Sequence, residues 1–89
     1  MFDKLKDIYQ LQKQAREIQS RLAAERVEGM SRDGSFRVAL NGNQEVLSVS
    51  VAENANLSRE KVEQNSKEAF ADALAKLKNL LAAKMREIM

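Results

Sequence analysis

The sequence predicts an α+β fold, an α-β-β-β-α protomer in which two long helices flank a small antiparallel sheet. Three observations predict it. Leu5, Ile8, Leu11, Ala15, Ile18 and Leu22 recur every three or four residues, the apolar stripe of an amphipathic helix. In FRVALNGNQEVLSVSV, residues 36–51, apolar and polar side chains alternate on either side of an Asn-Gly pair, which is a hairpin pattern. Beyond residue 58 there is neither Gly nor Pro, and the apolar residues return to helical spacing.

The first helix is expected from about Phe2 to Arg26, roughly 36 Å at ~1.5 Å per residue. Its stripe is close to a heptad seam. Lys6 and Lys13, seven apart, lie opposite that stripe with Arg21 nearby, and Asp3 and Glu17 interrupt the same face. Val27-Glu28-Gly29-Met30 reads as a short strand. Ser31-Arg32-Asp33-Gly34 has the composition of a tight turn. Phe36, Val38 and Leu40 then alternate with Ser35, Arg37 and Ala39, as in a half-buried strand. Asn41-Gly42 fits a type I′ turn, with both residues at positive φ. The return strand holds Val46, Leu47, Val49 and Val51. The step of three from Val46 to Val49 implies either a bulge or a Val46 that faces the other side. Ser58 is an apt N-cap for the second helix, with Glu60 in its first turn. That helix is expected to run to about Ile88, roughly 45 Å. Its stripe is Val62, Ser66, Ala69, Phe70, Ala73, Leu74, Leu77, Leu81, Met85 and Ile88. Alanines at 69, 71, 73 and 75 keep its middle slim.

A length of 89 residues is compatible with one domain, residues 1–89. A 45 Å helix exceeds the ~25 Å diameter of a compact chain of this size, so it must project past the sheet. Both stripes continue where the sheet no longer reaches. Small domains with such surplus apolar surface associate, and the expectation is an obligate homodimer. Phe36, Val38, Leu40, Val46, Val49 and Val51, with Phe70, Leu74 and Leu77 of the second helix, are the expected core and dimer contacts.

Composition narrows the function. There is no Cys and no His, which removes thiolate metal sites, disulfides and the commonest general base and metal ligand. Gly29 to Gly34 lacks the Lys-Ser/Thr ending of a phosphate loop, and Ser48 and Ser50 have no adjacent base. Glu60, Glu63 and Glu68 read as helix surface. No enzyme, cofactor, metal or small-molecule substrate is expected. No apolar run approaches the ~20 residues of a membrane span, and the N-terminus has no continuous apolar stretch. The expectation is a cytoplasmic protein without a membrane partner.

Net charge is only +2, but residues 1–22 carry +2, residues 23–72 carry −3 and residues 73–89 carry +3. A polyanion would therefore meet the ends of the chain. Ordinary solvated helix charges account for the same pattern equally well. The candidate phosphate contacts are Lys4, Lys6 and Lys13 on the first helix and Lys76, Lys78, Lys84 and Arg86 on the second. The second group forms no single stripe, which suits diffuse backbone contact better than groove reading. Arg86 and Lys84 also favour the helix dipole in the last turn.

The ordered set LQKQAREIQSRL, then GSFRVALNGNQEVLSVSV, then EAFADALAKL resembles the YbaB/EbfC family over almost the whole chain. The likeness lies in a Gln/Lys-rich opening helix, in alternating Val around Asn-Gly, and in Ala69, Phe70, Asp72 and Ala73 of an Ala-Phe-x-Asp-Ala segment. It departs in having Leu and Ile where the family's first helix is Met-rich, and in lacking a Gly-rich start and a Gly/Pro-containing tail. The resemblance implies an intertwined dimer with projecting helices, in the nucleoid, that binds double-stranded DNA with little sequence preference. It further implies a part in nucleoid organisation and gene regulation. The alternative from the residues alone is a small prefoldin-like chaperone or coiled-coil scaffold, whose apolar stripes grip protein clients.

Overall fold

The structure, a computed structural model, describes residues 2–88, and the side-chain surroundings of residues 4–87. Asp3, expected on the Lys6 face of the first helix, and Ile88, expected in the stripe of the second, thus lie outside the described side chains. Helix α1 is Phe2–Ala23, strands β1, β2 and β3 are Arg26–Met30, Phe36–Asn41 and Val46–Val51, and helix α2 is Arg59–Ile88. The α-β-β-β-α order is the expected one.

Helix α1 stops three residues short of Arg26. The amides of Ala24 and Glu25 turn back onto the carbonyls of Arg21 and Leu22, and the amide of Gly42 donates to the Leu22 carbonyl at 2.8 Å. That third donor comes from the β2–β3 turn and closes the helix from outside, freeing Arg26 to pair with Asn41 in the sheet. At the other end of the fold, the Ser58 hydroxyl accepts from the Lys61 amide, so Ser58 is the N-cap of α2.

The sheet is antiparallel throughout, in the order β1-β2-β3. Leu40 pairs with Val46 and Ala39 with Ser48. Leu47 is therefore the extra residue of a β-bulge, which explains the step of three between Val46 and Val49. The β2–β3 turn is not type I′. Positive φ falls on Gln44, at 65°, and on neither Asn41 nor Gly42. The Gln44 amide donates to the Asn41 carbonyl, and the Asn41 amide to the Glu45 carbonyl. This is a three-residue loop with its left-handed residue last. The Asn41 side chain braces it, accepting from the amides of Asn43 and Glu45.

Helix α2 lies across β1 and β2. Phe36, Val38 and Leu40 meet Ala69, Ala73 and Leu77 in the core, with Val27, Val62, Phe70, Leu80 and Leu81 partly buried around them. A side chain on Gly29 would collide with the Ala69 carbonyl and the Ala73 amide. Backbone thus rests on backbone here, which the slim alanines of α2 permit. The helix does not extend over β3. Val46, Val49 and Val51 share a face with Leu40, Val38 and Phe36, yet they remain 55%, 52% and 44% exposed. Leu74, on the flank of α2, is 50% exposed.

The molecule measures 63 × 20 × 18 Å, with a radius of gyration of 18.1 Å. A compact chain of this length has a radius near 12 Å. The long axis also exceeds the ~45 Å of α2 alone, because α1 reaches past the sheet.

Candidate nucleic-acid interface

Two helical arms carry the candidate cations, and the structure shows how each arm is held. The α2 arm is tied to the sheet by polar groups along one flank. Glu68, Asp72 and Lys76 follow at four-residue intervals and face the outer edge of β1. Asp72 accepts from the Met30 amide at 3.0 Å, Glu68 accepts from the Arg32 amide at 3.0 Å, and the Lys76 ammonium donates to the Glu28 carbonyl at 2.9 Å. Backbone groups that would otherwise offer an open strand edge are thereby satisfied. The Arg32 amide, with help from Gln64, holds the Glu68 carboxyl below the usual range. The Met30 amide, then Lys76, does the same for Asp72.

A second tie joins the β1–β2 turn to the start of α2. Asp33 accepts from the Ser35 hydroxyl at 2.7 Å, the Ser35 amide at 3.0 Å, the Ser31 hydroxyl at 2.7 Å and the Asn65 side-chain amide at 3.0 Å. These donors, Ser35 first, push its carboxyl far below the ordinary carboxylate range. Ser31, Ser35 and Asn65 are all buried.

The α1 arm is held differently. Every described side chain from Lys4 to Arg21 is exposed, including Leu5, Ile8, Leu11 and Ile18 of the apolar stripe. Leu22 is the first residue of the helix to be partly covered. The attachment lies at the base. Gly42 donates to the Leu22 carbonyl, the Asn43 side chain donates to the Gln19 carbonyl at 3.0 Å, and Lys84 of α2 pairs with Glu25 at 2.8 Å. Around that pair is an open cleft of about 440 Å³, lined by Ile18, Arg21, Leu22, Glu25, Lys84 and Glu87.

The expected phosphate contacts therefore divide. Lys6 and Lys13 stand exposed on α1, and Lys78 and Arg86 stand exposed on α2, with no ion pair among the described residues. Lys4 is exposed too, but its spacing puts it in line with Ile8, Leu11, Ala15, Ile18 and Leu22, on the apolar seam and away from Lys6 and Lys13. Lys76 and Lys84 are engaged within the protomer. Lys76 binds Asp72 at 3.1 Å as well as the Glu28 carbonyl. Lys84 is half-buried between Glu25 and Glu87, and the Glu25 bond raises its ammonium above the ordinary lysine value. Arg16 is not among the candidates that the sequence singles out. It is exposed three residues after Lys13, a spacing that shares a helix face and marks it as a neighbour. Among the described residues no group of three or more His, Cys, Asp or Glu could hold a metal ion, and no helix is long and apolar enough to cross a membrane.

The arrangement offers exposed cations spaced along two long helices. The chain matches the YbaB/EbfC DNA-binding family over residues 1–89. It is 35% identical over 85 residues to a nucleoid-associated protein of Gloeobacter violaceus, covering 94% of this chain and 77% of that one. It is 37% identical over 81 residues to a nucleoid-associated protein of Prochlorococcus marinus, covering 90% of this chain and 66% of that one. Its fold is similar to the crystal structure of an uncharacterized protein from Helicobacter pylori. The TM-score is 0.71 at 12% identity, over 92% of this chain and 98% of that one.

Proposed function

Since the chain belongs to the YbaB/EbfC DNA-binding family, we propose that it works in the nucleoid of the cytoplasm as a homodimer that binds duplex DNA. Contact is mainly to phosphates, with little preference for sequence. The observation that carries this reading is a placement: Lys6, Lys13, Lys78 and Arg86 stay exposed and unpaired among the described residues, the first two on the length of α1 that reaches past the sheet and the others on the outer surface of α2. Cations spread over two helices, and not along one stripe, suit a phosphate backbone better than the reading of base edges. No catalytic step is assigned to the chain.

Two apolar surfaces support the dimer. One is the shelf made by Val46, Val49 and Val51 beside Leu74; the other is the stripe of α1. A shelf of this kind next to a packed core is what a second copy covers, and the sealed edge of β1 directs that copy toward the β3 side. Partner-mediated burial also supplies what 89 residues in so extended a shape lack.

The test is a gel-shift titration on unrelated duplex sequences at several salt concentrations, with light scattering for the mass. Affinities within a few-fold across sequences are expected, falling steeply with salt. If four to eight cations per dimer meet phosphates, the log–log slope is about −4 to −7. No shift even at low salt, or a stable monomer in dilute solution, overturns the proposal.

A further inference from the structure

We propose that the β2–β3 turn, through Gly42 and Asn43, sets the direction of the α1 arm and so the geometry in which Lys6 and Lys13 reach DNA. The second half of this statement rests on the DNA-binding reading above.

Among the described residues, polar contacts at its base hold α1, and this turn supplies the two that fall on the helix itself. The described side chains of α1 are exposed as far as Arg21, so packing along the helix does not orient it. The two bonds from the turn fall on the carbonyls of Gln19 and Leu22. These acceptors are three residues apart, roughly 4.5 Å along the helix axis. Two donors on one rigid loop, gripping two points along an axis, define a tilt, whereas a single cap defines only a position.

The loop is built to be rigid. Asn41 accepts from the amides of Asn43 and Glu45 and donates to the Glu45 carboxylate at 3.0 Å. The fit at Gly42 leaves no tolerance, since a Cβ there would lie 2.5 Å from the Leu22 carbonyl oxygen and 2.9 Å from the Leu22 Cβ. Lys84 and Glu25 add a third tether on the far side of the junction. Leverage makes this matter. On a helix of ~33 Å, a tilt of about 10° at the base moves the tip by about 6 Å. That exceeds the reach of any hydrogen bond or ion pair, so arms that must engage one duplex together lose their registry. Two linked contacts exceed one only while the geometry allows both at once.

The chain has no cysteine, so paired spin labels can be introduced at Gln12→Cys on α1 and Lys61→Cys on α2, both exposed sites. Labelled chains are diluted into unlabelled ones so that only distances within one chain are read. The background protein should give a single narrow distance. Asn43→Ala, which removes one donor without changing charge, and Gly42→Ala should each shift or broaden it by several Å. Gln44→Gly, in the same loop but without a bond to α1, should leave it unchanged. Thermal melting checks that each variant is folded, and Asn43→Ala carries the test should Gly42→Ala fail to fold.

Gel shifts then compare a duplex of about 10 bp, the length of one arm at ~3.4 Å per base pair, with one of about 40 bp. Both variants should bind the long duplex about tenfold more weakly and the short one within about twofold. An unchanged distance overturns the proposal. A changed distance with equal losses on both duplexes overturns the link to DNA. Background protein that binds neither duplex sinks the DNA-binding reading instead, and the distances still decide whether the turn holds the arm.

Discussion

Gly29 is the residue on which the packing of α2 turns. It pairs with Val38 in the sheet and lies under Ala69 and Ala73, where a Cβ has no room. Gly29→Ala must therefore lift the helix off β1 and open the core around Val38 and Leu77. A loss of about 3 kcal/mol or more is expected, read from urea unfolding. Leu77→Ala, a cavity at a buried site, should cost about 2–5 kcal/mol. Asn65 is the other residue with a large share. It is buried and donates to both Asp33 and the Ser35 hydroxyl, so Asn65→Ala should cost about 1–3 kcal/mol. The pH dependence follows from Asp33. Its folded pKa is depressed, so its contribution is present above the unfolded value near 3.8 and is lost as pH falls toward the folded value. Glu68 and Asp72 act in the same sense. Unfolding midpoints between pH 7 and pH 2 should therefore drop for the parent protein and drop less for Asp33→Asn. Part of this was legible beforehand. Ser31-Arg32-Asp33-Gly34 announces its turn, because Asp and Ser bond to backbone two residues away. Asn65 was not legible, since nothing local marks a donor 30 or more residues from its acceptors.

At the scale of elements, the flank of α2 acts as a seal for the edge of β1. Glu68, Asp72 and Lys76 substitute for a fourth strand by bonding Arg32, Met30 and Glu28. Asp72→Ala should leave the Met30 amide open to solvent, and its hydrogen exchange should quicken while core amides such as that of Val38 hardly change. Equal acceleration at both would mean that the whole sheet has loosened and that Asp72 is no local seal. The hairpin shows where sequence reasoning reached and where it stopped. The pairing of β2 with β3 and the irregularity after Val46 follow from alternation alone, because a period of two is interrupted visibly. The turn type does not follow. Asn-Gly favours two positive φ values, but here the carbonyl end of α1 occupies the space above Gly42 and draws its amide to Leu22. The glycine serves close approach, and the left-handed position passes to Gln44. A contact between the first helix and a turn some twenty residues later outweighed the local preference.

For the molecule as a whole, the proposed dimer would join the apolar shelf on β3 and the basic helices in one design, in which copy-to-copy burial leaves the cations outside. Leu74→Glu places a charge where half the side chain is now exposed, so it should spare the protomer core yet shift light-scattering mass toward the monomer. The charge pattern, positive ends around a negative centre, was legible as a list of residues but not as a set of free charges. Lys76 and Lys84 find acceptors on β1 and at the α1–β1 junction, partners that only the folded chain supplies. Their substitution should accordingly act on structure, and that of Lys6 and Lys13 on DNA. The salt dependence separates the two, because each phosphate neutralised adds about −0.9 to the log–log slope whatever the absolute affinity. Lys6→Ala with Lys13→Ala should flatten the slope by about 2 if one arm of the dimer meets the duplex and by about 4 if both do. Lys76→Ala should leave the slope unchanged and lower the melting temperature. Were Lys76→Ala to flatten the slope while the double variant kept it, the arms would not be where DNA is held, and the β1 edge would take their place.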